Sequence, residues 1–192
     1  MNRRRFLVTT AGVTTVAFGM PWSQTAGAAT DDELAFANFG ISGEFLLKQF
    51  YSKAIEAKAF SRTQANVLKV GRSAASQHAK AFGDLLTGTG DVAAVEEDFE
   101  FVWPKNAFSA FSSPSAIVAT GLAVLRPLLG SYQTAIASGS EAEYRVLYAS
   151  LAASLGQQIG ALDQLSARSV TEPFPIALDL ETASSQLEAY LG

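Results

Sequence analysis

The sequence predicts an all-α protein in which two helical hairpins are joined by one long connection. Apolar residues recur every three to four positions in four long stretches, which is the period of an amphipathic helix. Short turns separate the first stretch from the second and the third from the fourth. The hydrophobic fraction of 48% and the many alanines suit close-packed helices. The four stretches span about residues 32–58, 61–87, 114–138 and 140–168.

The first hairpin has recognisable start and stop signals. Asp31 or Asp32 is expected to cap helix one, where acidic groups also suit the helix dipole. Ser61 is expected to cap helix two after a tight turn near residues 59–61. The run Gly88-Thr89-Gly90 predicts the end of helix two.

The second hairpin has its own signals. Ser113 followed by Pro114 predicts the start of helix three, and Gly139 predicts its end. Ser140 with Glu143 three residues later resembles a capping box, so helix four is expected to begin at Ser140.

The long connection, residues 88–113, is rich in aromatic residues, which we expect to cover one side of the bundle. Its acidic run of residues 96–100 lacks the spaced ligands of a calcium loop and is predicted to be solvated. Residues 171–175, which contain two prolines, cannot be helical, and a short amphipathic helix is expected over residues 179–191. The aromatic residues of the connection are Phe99, Phe101, Trp103, Phe108 and Phe111.

The N-terminus has the three parts of a cleavable export signal. Arg3, Arg4 and Arg5 precede an apolar stretch over residues 6–20, and the small-residue run 26–28 follows. Two arginines shortly before Phe6-Leu7 resemble the twin-arginine signal, a route that carries folded proteins. We therefore expect a signal peptide over residues 1–28, a bundle domain over residues 29–192, and a periplasmic or extracellular location. The general secretory route and an ordinary basic helix are the alternatives.

Composition excludes several classes of function. Removing the three signal arginines from 14 basic residues leaves 11 against 18 acidic residues, a net charge of −7. This charge argues against binding of nucleic acid or of anionic lipid. No segment after the signal is expected to span a bilayer, because the apolar stretches are interrupted by Arg, Pro, Gly or Gln. The chain has no cysteine, so it has no disulfide, thiolate metal site or cysteine nucleophile.

Two ionisable residues lie on faces that are otherwise apolar. At 100° per residue, Glu44 falls between Ile41 and Tyr51 on helix one, and His78, the only histidine, falls on the apolar face of helix two. Because a lone buried carboxylate is costly, Glu44 is expected to have a partner or to take up a proton.

These residues carry a resemblance to the ferritin-like superfamily, in particular to its exported bacterial branch of desiccation-associated proteins. Residues 43–51 (GEFLLKQFY) are similar to that branch's first helix, and residues 77–82 (QHAKAF) to the histidine end of its second. The resemblance covers about residues 31–192. It implies a ferritin-like four-helix bundle with a long crossover between helices two and three and a short C-terminal helix, in which Glu44 and His78 stand where di-iron relatives place ligands.

The remaining di-iron ligand positions are not filled. Such bundles use four carboxylates and two histidines. Ala75, Leu155 and Gln158 stand where the resemblance would place two glutamates and the second histidine, and helix three has no acid between residues 114 and 138. At most two of six ligands remain, too few to hold a transition metal tightly. We therefore expect no metal and a buried polar cluster in which Glu44 pairs with His78 and Gln158 hydrogen-bonds nearby. In that arrangement Gln158→Leu should be tolerated.

Two hypotheses for the function follow. The first is an exported, non-catalytic bundle that acts as a binding or structural protein of the cell envelope. The second is a metal carrier or oxidoreductase that uses iron or manganese at an altered site with Glu44 and His78. A small-molecule pocket at the bundle centre, an envelope protein partner and self-association also remain open. The chain has no Gly-x-Ser-x-Gly elbow and no phosphate-binding loop.

Overall fold

A computed structural model describes residues 30–103, 110–166 and 175–191 of the chain. The predicted all-α class is confirmed for these residues, since they form helices and no strand beyond one isolated bridge, from Phe101 to Leu191. The helices are α1 (Asp31–Glu56), α2 (Arg62–Gly88), α3 (Pro114–Ser138), α4 (Ala142–Leu165) and α5 (Leu180–Leu187), with single 3-10 turns at Glu96–Asp98 and Glu188–Tyr190.

Two helix starts agree with the sequence prediction and two differ. Ser61 and Ser113 cap α2 and α3. The cap of α1 is Thr30, not Asp31 or Asp32, because Thr30 and Glu33 form a capping box. The predicted capping box at Ser140 is absent: α4 begins after Glu141, whose side chain makes no cap bond, and the Ser140 hydroxyl donates to Glu33 instead.

Contacts between side chains fix the directions of the four long helices. Glu44 meets His78, and Tyr51 packs on Gly71, so α1 and α2 are antiparallel. In the same way α3 is antiparallel to α1, because Leu128 packs on Gly43 and Phe50 on Gly121. The Tyr132–Tyr148 and Gly121–Leu162 contacts make α3 and α4 antiparallel. It follows that α2 and α3 point the same way, so the chain between them returns along the length of the bundle.

This returning segment, the crossover (residues 89–113), packs against α1 through its aromatic side chains. Phe99 contacts Phe45 with ring centroids 6.0 Å apart, and Trp103 contacts Phe50 at 6.3 Å. Phe111 also contacts Phe50, at 6.1 Å. The described aromatic residues of the crossover therefore cover the bundle side. Phe108 and the segment 167–174, which holds most of the predicted proline break, lie outside the described residues.

The C-terminal segment closes the crossover. The Val102 amide donates to the Tyr190 carbonyl at 2.9 Å, and the Tyr190 ring lies 5.6 Å from that of Trp103. Upstream, the Leu178 amide donates to the Gly130 carbonyl of α3 at 3.0 Å. The segment thus connects α3 to the crossover. Its helix is shorter than predicted, since α5 gives way to a 3-10 turn after Leu187.

The expectation that no later segment could span a membrane needs a correction. By length and composition α3 qualifies, with a mean hydropathy of 1.3 over its best 18-residue window. The helix qualifies although every 18-residue window of it contains Arg126 and Pro127. Within the bundle 67% of this window is buried, as in a core helix of a helical bundle.

Candidate functional site

Glu44 occupies the centre of the bundle because the helical period of α1 turns it toward α2 and α3. Its side chain is fully buried. One oxygen, Oε1, accepts a hydrogen bond from the Tyr132 hydroxyl at 2.9 Å and lies 3.2 Å from Nδ1 of His78. The structure therefore brings Glu44 and His78 together, as the sequence analysis expected, and adds a tyrosine from α3.

His78 reaches Glu44 through the nitrogen nearest its own backbone. With a proton on Nδ1 it donates to the carboxylate, and a second proton on Nε2 would make the contact an ion pair. The His78 side chain is 10% exposed, whereas that of Glu44 is fully enclosed. The other Glu44 oxygen, Oε2, has no hydrogen-bond partner among the described residues. Among the described residues, the Glu44 carboxylate thus has two hydrogen-bond partners on Oε1 and none on Oε2.

Gln158 is buried, and its described hydrogen bond goes to Tyr51 rather than to Glu44 or His78. Its Oε1 accepts a hydrogen bond from the Tyr51 hydroxyl at 2.8 Å, while its Nε2 has no partner in the described part of the chain. The interior therefore holds two bonded groups: Glu44 with His78 and Tyr132, and Gln158 with Tyr51.

Sequence reasoning missed the role of both tyrosines. Tyr51 stands two turns after Glu44 on the same apolar face, so a hydroxyl at that position needed a partner from another helix. Tyr132 stands two turns after Leu125 on the inward face of α3. The signal in the sequence is a tyrosine on the inward face of a helix, since its buried hydroxyl needs a hydrogen-bond partner.

The surroundings keep these phenols protonated. Burial, and next the charge and hydrogen bond of Glu44, raise the pKa of Tyr132 well above its usual value. Burial and the Glu44 charge likewise raise the pKa of Tyr51 far above 10. Both hydroxyls therefore act as hydrogen-bond donors at any physiological pH. Neither is poised to become a phenolate ligand or a general base.

Aromatic rings close the site at the Tyr132 end. Phe82, Tyr132 and Tyr148 lie with ring centroids 5.6 to 5.7 Å from one another. The Tyr148 hydroxyl is buried there and has no partner among the described residues. Of the three positions at which the resemblance would place further ligands, two hold the completely buried apolar side chains of Ala75 and Leu155, and the third holds the amide of Gln158.

The donor set is too small for a tightly held metal. In residues 30–103, 110–166 and 175–191 there is no group of three or more His, Cys, Asp or Glu side chains that could hold a metal ion. A carboxylate and an imidazole alone give two ligands, whereas protein sites for transition metals use three or four. Chemically, the arrangement joins α1, α2 and α3 through the contacts of His78 and Tyr132 with Glu44.

Comparisons with protein-family models, curated proteins and solved structures found no match. The function must therefore be argued from the residues themselves. Arg3 and Arg4 of the predicted export signal lie outside the described residues.

Proposed function

We propose that the chain is a ferritin-like four-helix bundle that has lost its di-metal site and acts, after export, as a non-catalytic binding or structural protein of the cell envelope. The observation that carries the proposal is the composition of the core. Within the described part of the chain, no group of three or more acids or histidines that could hold a metal includes Glu44 and His78, and Tyr132, through a phenol with a strongly raised pKa, already donates to Glu44.

The helix directions support the ferritin-like part of the proposal. Two antiparallel hairpins joined by a connection that runs the length of the bundle is one of the recognised four-helix arrangements, and ferritin-like folds use it. The position of Glu44 on α1 opposite His78 on α2 is similar to the ligand positions in that superfamily.

Metal analysis of the purified full-length protein tests the loss of the site. We expect iron, manganese and zinc far below one ion per chain, and no difference between wild type, Glu44→Ala and His78→Ala. Gln158→Ala is the matched control, because it changes a buried polar residue of the interior outside the Glu44 pair. Iron or manganese near one ion per chain, lost in the first two variants and kept in the control, would overturn the proposal.

One observation favours the second candidate function, a metal carrier or oxidoreductase. Glu44 Oε1 lies 3.2 Å from the His78 imidazole, and Oε2 has no partner among the described residues, so two ligands already lie side by side. A partner protein or a second copy that supplied further ligands would complete the site. Mass measurement in solution, with and without added iron or manganese, distinguishes this candidate, since it requires metal-dependent assembly.

Export is tested at the N-terminus. The double variant Arg3→Lys/Arg4→Lys keeps the charge but removes the arginine pair of the proposed twin-arginine signal. We expect the full-length precursor to accumulate inside the cell. Replacing Arg5 alone with Lys is the control, and unchanged export of the double variant would exclude the twin-arginine route.

A further inference from the structure

An open groove with a volume of about 450 Å³ lies outside the bundle, between α1, α2 and the beginning of the crossover. Neither Glu44 nor His78 lines it. Its volume is in the range of protein ligand sites. Its apolar surface comes from Ile41 and Phe45 of α1, Ala79 and Gly83 of α2, and Ala93 and Ala94 of the crossover.

The crossover extends this apolar surface with exposed valines. Val95 lines the groove and is 53% exposed, and Val92, next to the lining residue Ala93, is 86% exposed. A single exposed valine is ordinary on a protein surface. Val95 in the lining, with Val92 three positions before it in the chain, adds exposed apolar surface of the kind that marks an interaction site.

The charged lining of the groove consists of three acids and two lysines, and both lysines are paired with acids. Lys48 forms an ion pair with Glu96, and Lys80 forms one with Asp84 at 2.5 Å. Glu97, the third acid of the lining, has no ion pair among the described residues. The segment that forms this side, residues 81–103, has no lysine or arginine and carries six acids: Asp84, Asp91, Glu96, Glu97, Asp98 and Glu100.

We propose that this groove binds a basic amphipathic segment of a partner protein. Apolar side chains of the segment would enter between Phe45, Ala79 and Ala94, while its lysines or arginines meet Glu97 and the neighbouring acids. An acidic partner, a nucleic acid or an anionic membrane would be repelled by these acids. The inference rests on the proposed binding role and names its partner class and its site.

Binding of a defined peptide tests the inference on the full-length protein. The probe is a fluorescein-labelled 14-residue helix of leucine and lysine with all lysines on one face; its counterpart has glutamate in place of lysine. Fluorescence anisotropy should show saturable binding of the lysine peptide, weakening as salt is raised, and none of the glutamate peptide. No binding of the lysine peptide, or equal binding of both, would overturn the inference.

Matched variants separate this site from general attraction to an acidic protein. Glu97→Lys and Val95→Ser should each weaken binding about fivefold or more. Glu181→Lys on α5 changes the net charge equally, and Val70→Ser removes a similarly exposed valine of α2; both should leave binding unchanged. An equal loss in the control variants would show non-specific binding and refute the proposed site.

The metal content of the same protein sample tells the two proposals apart. Iron near one ion per chain, together with binding of the lysine peptide, would refute the metal-free function and support the groove as a binding site. A metal-free protein that does not bind the peptide would refute the groove as a binding site and leave the proposed loss of the metal site intact.

Discussion

Two buried tyrosine hydroxyls lie in the same part of the core, and one of them has a described partner. Tyr132 donates to Glu44 at 2.9 Å, whereas the Tyr148 hydroxyl has no partner in the described residues. Tyr132→Phe should lower the free energy of unfolding by about 1.5–3 kcal/mol, because the lost hydrogen bond goes to a carboxylate. Tyr148→Phe should leave it unchanged or raise it by up to about 1 kcal/mol. Urea unfolding measures both, and equal losses in the two variants would contradict the assigned hydrogen bonds.

Gln158 gives a second test at the residue scale. The expectation that Gln158→Leu is tolerated must be revised, since leucine would leave the buried Tyr51 hydroxyl without its acceptor. The single variant should lose about 1–3 kcal/mol of stability. Adding Tyr51→Phe should restore part of it, because the orphaned donor is then removed. A double-mutant cycle measures this coupling, and strictly additive effects of the two substitutions would refute the Tyr51–Gln158 bond.

Helical periodicity was enough to place Glu44 and His78 inside the bundle, because that period depends only on the local chain. It was not enough to say what Gln158 bonds. That depends on the register of α4 against α1, which puts residues 107 positions apart in contact. Registers between helices are set by packing, and the sequence of one helix does not contain them.

At the scale of single helices, two glycines inside helices differ in the space around them. A Cβ on Gly43 would lie 2.2 Å from a methyl carbon of Leu128, so α1 and α3 approach closely there. On Gly156 of α4 an added Cβ would meet nothing within 4 Å. Gly43→Ala should therefore cost about 1–3 kcal/mol through overpacking. Gly156→Ala should gain about 0.5–1 kcal/mol from helix propensity.

Thermal and urea unfolding of both glycine variants check this contrast. The Gly156 variant is the control for the substitution itself, because it adds the same methyl group to a helix interior. If Gly43→Ala unfolds at the same urea concentration as wild type, the Leu128 side chain does not resist the added methyl group, and the predicted overpacking is wrong.

The ends of the helices show which signals were local. Ser61, Ser113 and Gly139 act as predicted, since each cap uses groups within a few residues of itself. The start of α1 was also encoded locally, in the capping-box pair Thr30 and Glu33. The cap was nevertheless predicted at Asp31 or Asp32, because aspartate is a common N-cap residue. The start of α4 could not be predicted, because the Ser140 hydroxyl is taken by a carboxylate from the other hairpin.

For the whole molecule, that carboxylate connects the two hairpins. Glu33 Oε2 accepts from the Thr30 amide at 2.8 Å, and Oε1 accepts from the Ser140 amide at 2.8 Å and from its hydroxyl at 2.9 Å. One buried side chain thus caps α1 and holds the turn between α3 and α4. The order of the helices along the chain was predictable from the sequence, but this link was not, since it joins residues 107 positions apart.

The link predicts a dependence of stability on pH. Burial alone would raise the pKa of the Glu33 carboxyl, but the hydrogen bonds from Thr30 and Ser140 outweigh it and hold the pKa below 4.5. A carboxyl with a lowered pKa in the folded state adds stability above its unfolded pKa and loses it as the pH falls through the folded value. Glu33→Gln should therefore be less stable than wild type near pH 7, and the difference should shrink below about pH 4.5.

Urea unfolding at a series of pH values measures that difference directly. Other carboxylates titrate in the same range, so the quantity to follow is the gap between the two proteins rather than either curve alone. Glu188→Gln makes the same substitution at an exposed position outside the link and is the control. A gap between wild type and Glu33→Gln that stays constant from neutral to acidic pH would mean that the hairpins are not joined through an ionised Glu33.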